Sequence, residues 1–82
     1  DHLIEKEELA EYEELIRRLY EAISSLPPMQ ARRVHARYML GMKVKDIAAM
    51  EGITPSQAGK SIHAALRRLR RYFARQKWTV NL

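Results

Sequence analysis

Residues 43–71 read KVKDIAAMEGITPSQAGKSIHAALRRLRR. In the first part Val44, Ile47, Ala48 and Met50 recur at helical spacing, which predicts a short helix. Gly52 then supplies a turn, because a residue without Cβ enters the left-handed region at little cost, and Ile53 is expected to fold back under the corner. Three residues mark the start of the next helix: Thr54 as N-cap, Pro55 at the first helical position where no N–H is needed, and Gln57 where a capping box places Glu or Gln. A short helix, a tight turn and a longer helix with a basic outer face make a helix-turn-helix, the motif that sets its second helix into the DNA major groove.

At about 100° per residue the second helix divides into two faces. Ala58, Ile62, Ala65, Leu66, Leu69 and Phe73 fall on one side and are expected in the core. Ser56, Gln57, Lys60, His63, Ala64, Arg67 and Arg71 fall on the other. The first turns of such a helix meet base edges, so Ser56, Gln57, Lys60 and His63 are the base-reading candidates. Gln57 pairs bidentately with adenine and Lys60 donates to guanine, each good pair being worth roughly 1–3 kcal/mol of discrimination. Arg67, Arg68 and Arg71 lie where the helix leaves the groove, and phosphate contact suits them better; Ser61 joins this set. Lys43 and Lys45 flank the start of the first helix of the pair and, with Arg37 and Arg32 or Arg33, are candidates to clamp the DNA backbone.

Upstream, Leu9, Tyr12, Ile16, Leu19, Ile23 and Leu26 alternate by threes and fours, which predicts one long helix over about residues 3–24. Its second half is expected to pack on the domain. Its first half either does the same or faces another chain, with Leu9, Tyr12, Ile16 and Leu19 as the surface of a homodimer or a partner protein. Leu26, Pro27 and Pro28 end that helix, since the residue before each proline is pushed out of the α region. Pro28 opens a second helix over residues 29–40, with Ala31, Val34, Tyr38 and Met39 inward, and Gly41 closes it. The expected fold is all-α, a four-helix domain with a C-terminal helix-turn-helix. The division is an acidic first part of a long helix (1–18), the domain proper (19–75) and a tail (76–82).

The chain has 82 residues and a net charge of +5, distributed unevenly. Residues 1–14 hold seven acids against Lys6, a local balance of −6, while residues 15–82 hold fourteen Lys or Arg against Glu21, Asp46 and Glu51, a balance of +11. A basic body of this density is the electrostatic footprint of a polyanion binder. The length allows one small core and argues against an enzyme cavity. No cysteine is present, which excludes disulfide and thiolate-metal chemistry. His35 and His63 lack Cys or carboxylate companions at ligand spacing, and no catalytic triad, phosphate-binding loop or carboxylate pair is recognisable, so neither metal, cofactor nor enzyme activity is expected. No apolar run reaches the roughly 20 residues that span a bilayer. The expected address is the cytoplasm, at the nucleoid.

Four stretches in order, Leu19-x-x-Ala22-Ile23-x-x-Leu26-Pro27-Pro28, Arg37-Tyr38-x-x-Gly41, Asp46-Ile47-Ala48-x-x-x-Gly52-Ile53-Thr54 and His63-x-Ala65-x-x-x-Leu69-Arg70, carry a resemblance over residues 19–70. Together they resemble region 4 of bacterial RNA polymerase sigma factors, nearest in character to the extracytoplasmic-function group or to sigma-like proteins of mobile elements. The resemblance implies a four-helix domain that reads the upstream promoter hexamer, the −35 element, in double-stranded DNA through its last helix. It also implies docking on the β flap of the RNA polymerase core. The chain departs from the pattern at Gly59, Ser61 and Ala64, where extracytoplasmic-type factors usually carry basic residues.

Two alternatives share the helix-turn-helix. One is a sigma-like regulator or interaction protein acting as a dimer or binding a sigma or anti-sigma partner. The other is a regulator whose C-terminal helix-turn-helix binds DNA as a dimer, but it is not expected to carry the Leu26-Pro27-Pro28 and Arg37-Tyr38-x-x-Gly41 elements.

Overall fold

The computed structural model describes residues 6–76. Four helices follow one another: α1 (Lys6–Ser24), α2 (Pro28–Val34, continuing as a π-helical turn over His35–Met39), α3 (Val44–Glu51) and α4 (Pro55–Arg75). There is no strand among the described residues. The start of the expected long helix at residues 3–5 and the tail from residue 77 lie outside the described residues.

The stripe on α1 is buried progressively. Leu9, Tyr12 and Leu15 are exposed, Ile16 and Leu19 are half-buried, and Ala22, Ile23 and Leu26 are in the core. The first half of α1 therefore reaches past the body of the domain, and its apolar side chains have no cover among the described residues. Its exposed surface is laced by Arg17, which bonds Glu14 one turn before it and Glu21 one turn after it, the helical spacing at which opposite charges meet. Ser24 and Ser25 at the end of α1 donate their hydroxyls to the carbonyls of Tyr20 and Ala22 at 2.8 and 2.6 Å, and the Ala22 carbonyl also accepts the Ser25 N–H at 3.1 Å. Pro27 is extended at φ −52°, ψ 144°, and Pro28 takes the first helical position of α2.

The second helix differs from a single α-helix over residues 29–40. It begins at Pro28, and from His35 the backbone widens, so that the Leu40 N–H donates to the His35 carbonyl five residues back at 3.1 Å. In an α-helix the residue four after Val34 shares its face; in the wider turn the residue five after it does. Met39 accordingly packs on the core, while Tyr38, expected inward, is 54% exposed. The Arg37 guanidinium lies over the Tyr38 ring, 5.7 Å from its centre. Gly41, at φ 70°, then ends the helix as expected, with the Met42 N–H returning to the Ala36 carbonyl at 3.0 Å.

The main core joins Ala22, Ile23, Leu26 and Val34 to Ala65, Leu69 and Phe73 of α4, with Leu69 the largest side chain fully enclosed. Burial of these side chains supplies the cohesion of so small a domain, at about 25 cal/mol for each Å² of apolar surface removed from water. Ile47 and Ala48 of α3 are buried beside Ala58 and Ile62 of α4, which sets the two helices of the motif against each other. Met50, the fourth expected inward residue of α3, is 77% exposed. It is three residues beyond Ile47 on the edge of the apolar stripe, and an eight-residue helix buries only the centre of that stripe.

Candidate nucleic-acid interface

The α3–α4 corner follows from local chemistry. Gly52 sits at φ 70°, ψ 29°, the Ile53 N–H returns to the Ala48 carbonyl at 3.0 Å and the Gly52 N–H to the Ala49 carbonyl at 3.3 Å. Thr54 is extended and caps α4 reciprocally. Its Oγ1 accepts from the Gln57 N–H at 3.1 Å, and its own N–H donates to Gln57 Oε1 at 2.9 Å.

Ser56, Gln57, Lys60 and His63 are all exposed on the first turns of α4, and Arg67 and Arg71 continue their side of the helix. Lys60, Arg67 and Arg71 fall within about 40° of one another around the axis and span roughly 16 Å along it. Lys43 and Lys45 stand exposed at the start of α3. Lys43 also supplies the carbonyl that receives the Asp46 and Ile47 N–H groups.

The other sequence candidates are placed differently. Arg68 lies to the flank of this row, where with Arg71, Arg75, Ser25 and Leu26 it lines a shallow cleft of about 130 Å³ at the α1–α2 corner. Arg75 was not among the sequence candidates, although its spacing of four from Arg71 and seven from Arg68 marks it as a neighbour. Arg37 is half-buried, and its Nη1 donates to the Met42 carbonyl at 3.2 Å beside the Gly41 turn. Arg33 and Ser61 are brought together with Glu51. Arg33 donates from Nε and Nη2 to the Glu51 carboxylate at 2.6–3.0 Å and from Nη1 to Ser61 Oγ at 2.7 Å. The hydrogen bond from Arg33 holds the Glu51 carboxyl below its ordinary range, and the same contact raises the Arg33 guanidinium. Gln57 has two demands on one carboxamide, since bidentate pairing with adenine needs the same Oε1 that the Thr54 N–H occupies.

A second surface lies on another side of α4. Leu19, Tyr38, Met39 and Leu66 rim an apolar groove of about 280 Å³ whose floor is Val34 and Leu69. Leu66 is about 120° around the α4 axis from Lys60, so the groove and the basic row face different directions. Among the described residues no three His, Cys, Asp or Glu side chains cluster as metal ligands, and no helix is long and apolar enough to cross a membrane.

A capped helix presenting a basic row beside a tight glycine turn defines a DNA-binding helix-turn-helix domain. More specifically, the family model described as sigma-70, region 4 matches residues 16–69, more than half of the chain, and the chain belongs to that family. Membership makes it a DNA-binding module of transcription initiation, in a family that is not enzymatic. No curated protein and no solved structure matches the chain.

Proposed function

We propose that this chain recognises the −35 promoter element through the first turns of α4 and docks on the β flap of RNA polymerase at the nucleoid. The observation that carries the reading is the exposed row Ser56, Lys60, His63, Arg67 and Arg71 on a helix whose N-terminus is fixed by the Thr54–Gln57 cap. Ser56, Lys60 and His63 read base edges, with Lys60 donating to guanine. Gln57 serves the cap first and contributes to readout through its amide nitrogen. Lys43, Lys45, Arg67, Arg68 and Arg71 neutralise phosphates, which fixes register and supplies most of the affinity. Arg37 and Ser61 are assigned to the fold, because each is engaged in an internal hydrogen bond.

The apolar groove between α1, the π-helical turn and α4 is the surface offered to the flap. A polymerase-docked module must leave its DNA face free, and a groove turned away from Lys60 meets that requirement.

Selection of bound duplexes from a random pool, run alongside capture on the isolated flap, tests both halves. Enrichment of a short motif together with retention on the flap is the expected result. Binding with no enriched motif would remove promoter reading, and failure to bind the flap would remove polymerase docking.

A further inference from the structure

Arg33 touches three elements at once. It projects from α2 to Glu51, the last residue of α3 before the left-handed Gly52, and to Ser61 in the second turn of α4, next to Lys60. The guanidinium is a rigid planar fork, so one group fixes the entry to the turn and the helix beyond it in a single geometry. The side chains of Arg33 and Glu51 are only 14% and 22% exposed, which shields their pairing from the screening that weakens surface ion pairs.

Apolar packing sets α4 against α1, α2 and α3 without a directional bond at its N-terminal turns. Ile47, Ala48, Ala58 and Ile62 hold α3 against α4 through contacts that are non-directional, and all four are small or simple aliphatic shapes. A turn of α4 by about 10° about its axis moves a side-chain tip roughly 1 Å, which is beyond what a base contact tolerates. Arg33 adds a directional bond to α4 through Ser61, one residue from Lys60.

We infer that Arg33 is a positioning residue for base readout, holding α4 through Ser61 and the turn through Glu51, so that sequence discrimination depends on it while affinity for unrelated DNA does not. The inference rests on the DNA-binding reading above. Phosphate contacts need only a cation near an anionic oxygen and tolerate a small rotation; base contacts need donor and acceptor aligned with a base edge.

The test compares the wild-type chain with Ser61→Ala and Arg33→Lys for affinity to the selected duplex, affinity to an unrelated duplex, salt slope and thermal stability. Ser61→Ala leaves the Arg33–Glu51 pair in place and carries the test if Arg33→Lys fails to fold. Both variants are expected to lower the ratio of selected to unrelated affinity about tenfold, within the span of one good base contact, with the unrelated affinity and salt slope unchanged. A reduced melting temperature with that ratio intact makes the bridge purely structural and overturns the inference. So does an equal loss of affinity for selected and unrelated duplexes in Ser61→Ala, which would put Ser61 on a phosphate. A wild-type chain that binds all duplexes alike overturns the inference and leaves DNA binding standing; one that binds no duplex overturns both.

Discussion

Thr54 and Gln57 exchange two hydrogen bonds across the first turn of α4, at 2.9 and 3.1 Å, and so satisfy two N–H groups that a helix start otherwise leaves free. Thr54→Ala removes one acceptor and is expected to lower stability by about 1 kcal/mol, measurable as a shift in the urea midpoint. Gln57→Glu keeps the capping geometry and should hold stability near wild type. Its added negative charge on the DNA side of the helix should weaken duplex binding.

Gly52 and Gly59 respond oppositely to alanine. An added Cβ meets nothing within 4 Å at either position, so conformation alone decides. At Gly52 the φ of 70° belongs to the left-handed region, and Gly52→Ala should lose about 1–2 kcal/mol. Gly59 is inside α4, where Gly59→Ala should gain about 0.5–1 kcal/mol. Denaturant unfolding of the two variants gives the sign of each.

The acid limb of stability should report Glu51. Its carboxyl is held below the ordinary value of 4.5 by the Arg33 hydrogen bond, so it contributes stability that is present above its unfolded pKa and lost as pH falls through the lower folded one. Glu51→Gln is expected to flatten the decline below about pH 4.5. Glu14 is shifted in the same direction by Arg17 but is solvent-exposed, so high salt separates the two: its contribution fades while that of Glu51 persists.

Lys60→Ala should relax sequence preference, whereas Arg71→Ala should weaken selected and unrelated duplexes alike and reduce the salt slope by about one. Competition binding with both duplex types distinguishes them. Equal effects on discrimination would show that the division between base and phosphate contacts along α4 is wrong.

Tyr38→Glu places a charge at the rim of the apolar groove on a side chain already 54% exposed, so folding should survive. Capture on the polymerase flap is expected to fall at least tenfold with duplex affinity unchanged. Unchanged capture would move the docking surface elsewhere.

The legible and illegible parts of this chain divide by the range of the signal. The α4 start and core face were readable because Thr54, Pro55 and Gln57 act within one turn and because Ala58, Ile62, Ala65, Leu69 and Phe73 keep one period throughout. The period fails at His35–Met39, where the wider turn delays the phase by one residue, keeping Met39 inward as expected and turning Tyr38 outward. Met50 satisfied the spacing rule on a helix too short to cover its edges. Arg33 reads in the sequence as a candidate clamp for the DNA backbone, whereas its partners lie 18 and 28 residues away, at separations that no local pattern reports. Gln57 reads as both a cap and a base reader, and in the structure the two roles draw on one oxygen.

The salt dependence of duplex affinity tests the central claim most directly. Phosphate neutralisation by Lys43, Lys45, Arg67, Arg68 and Arg71 predicts a log-log slope of about −4 to −5 from counterion release. A slope near zero would contradict the assignment of this basic helix-turn-helix to DNA.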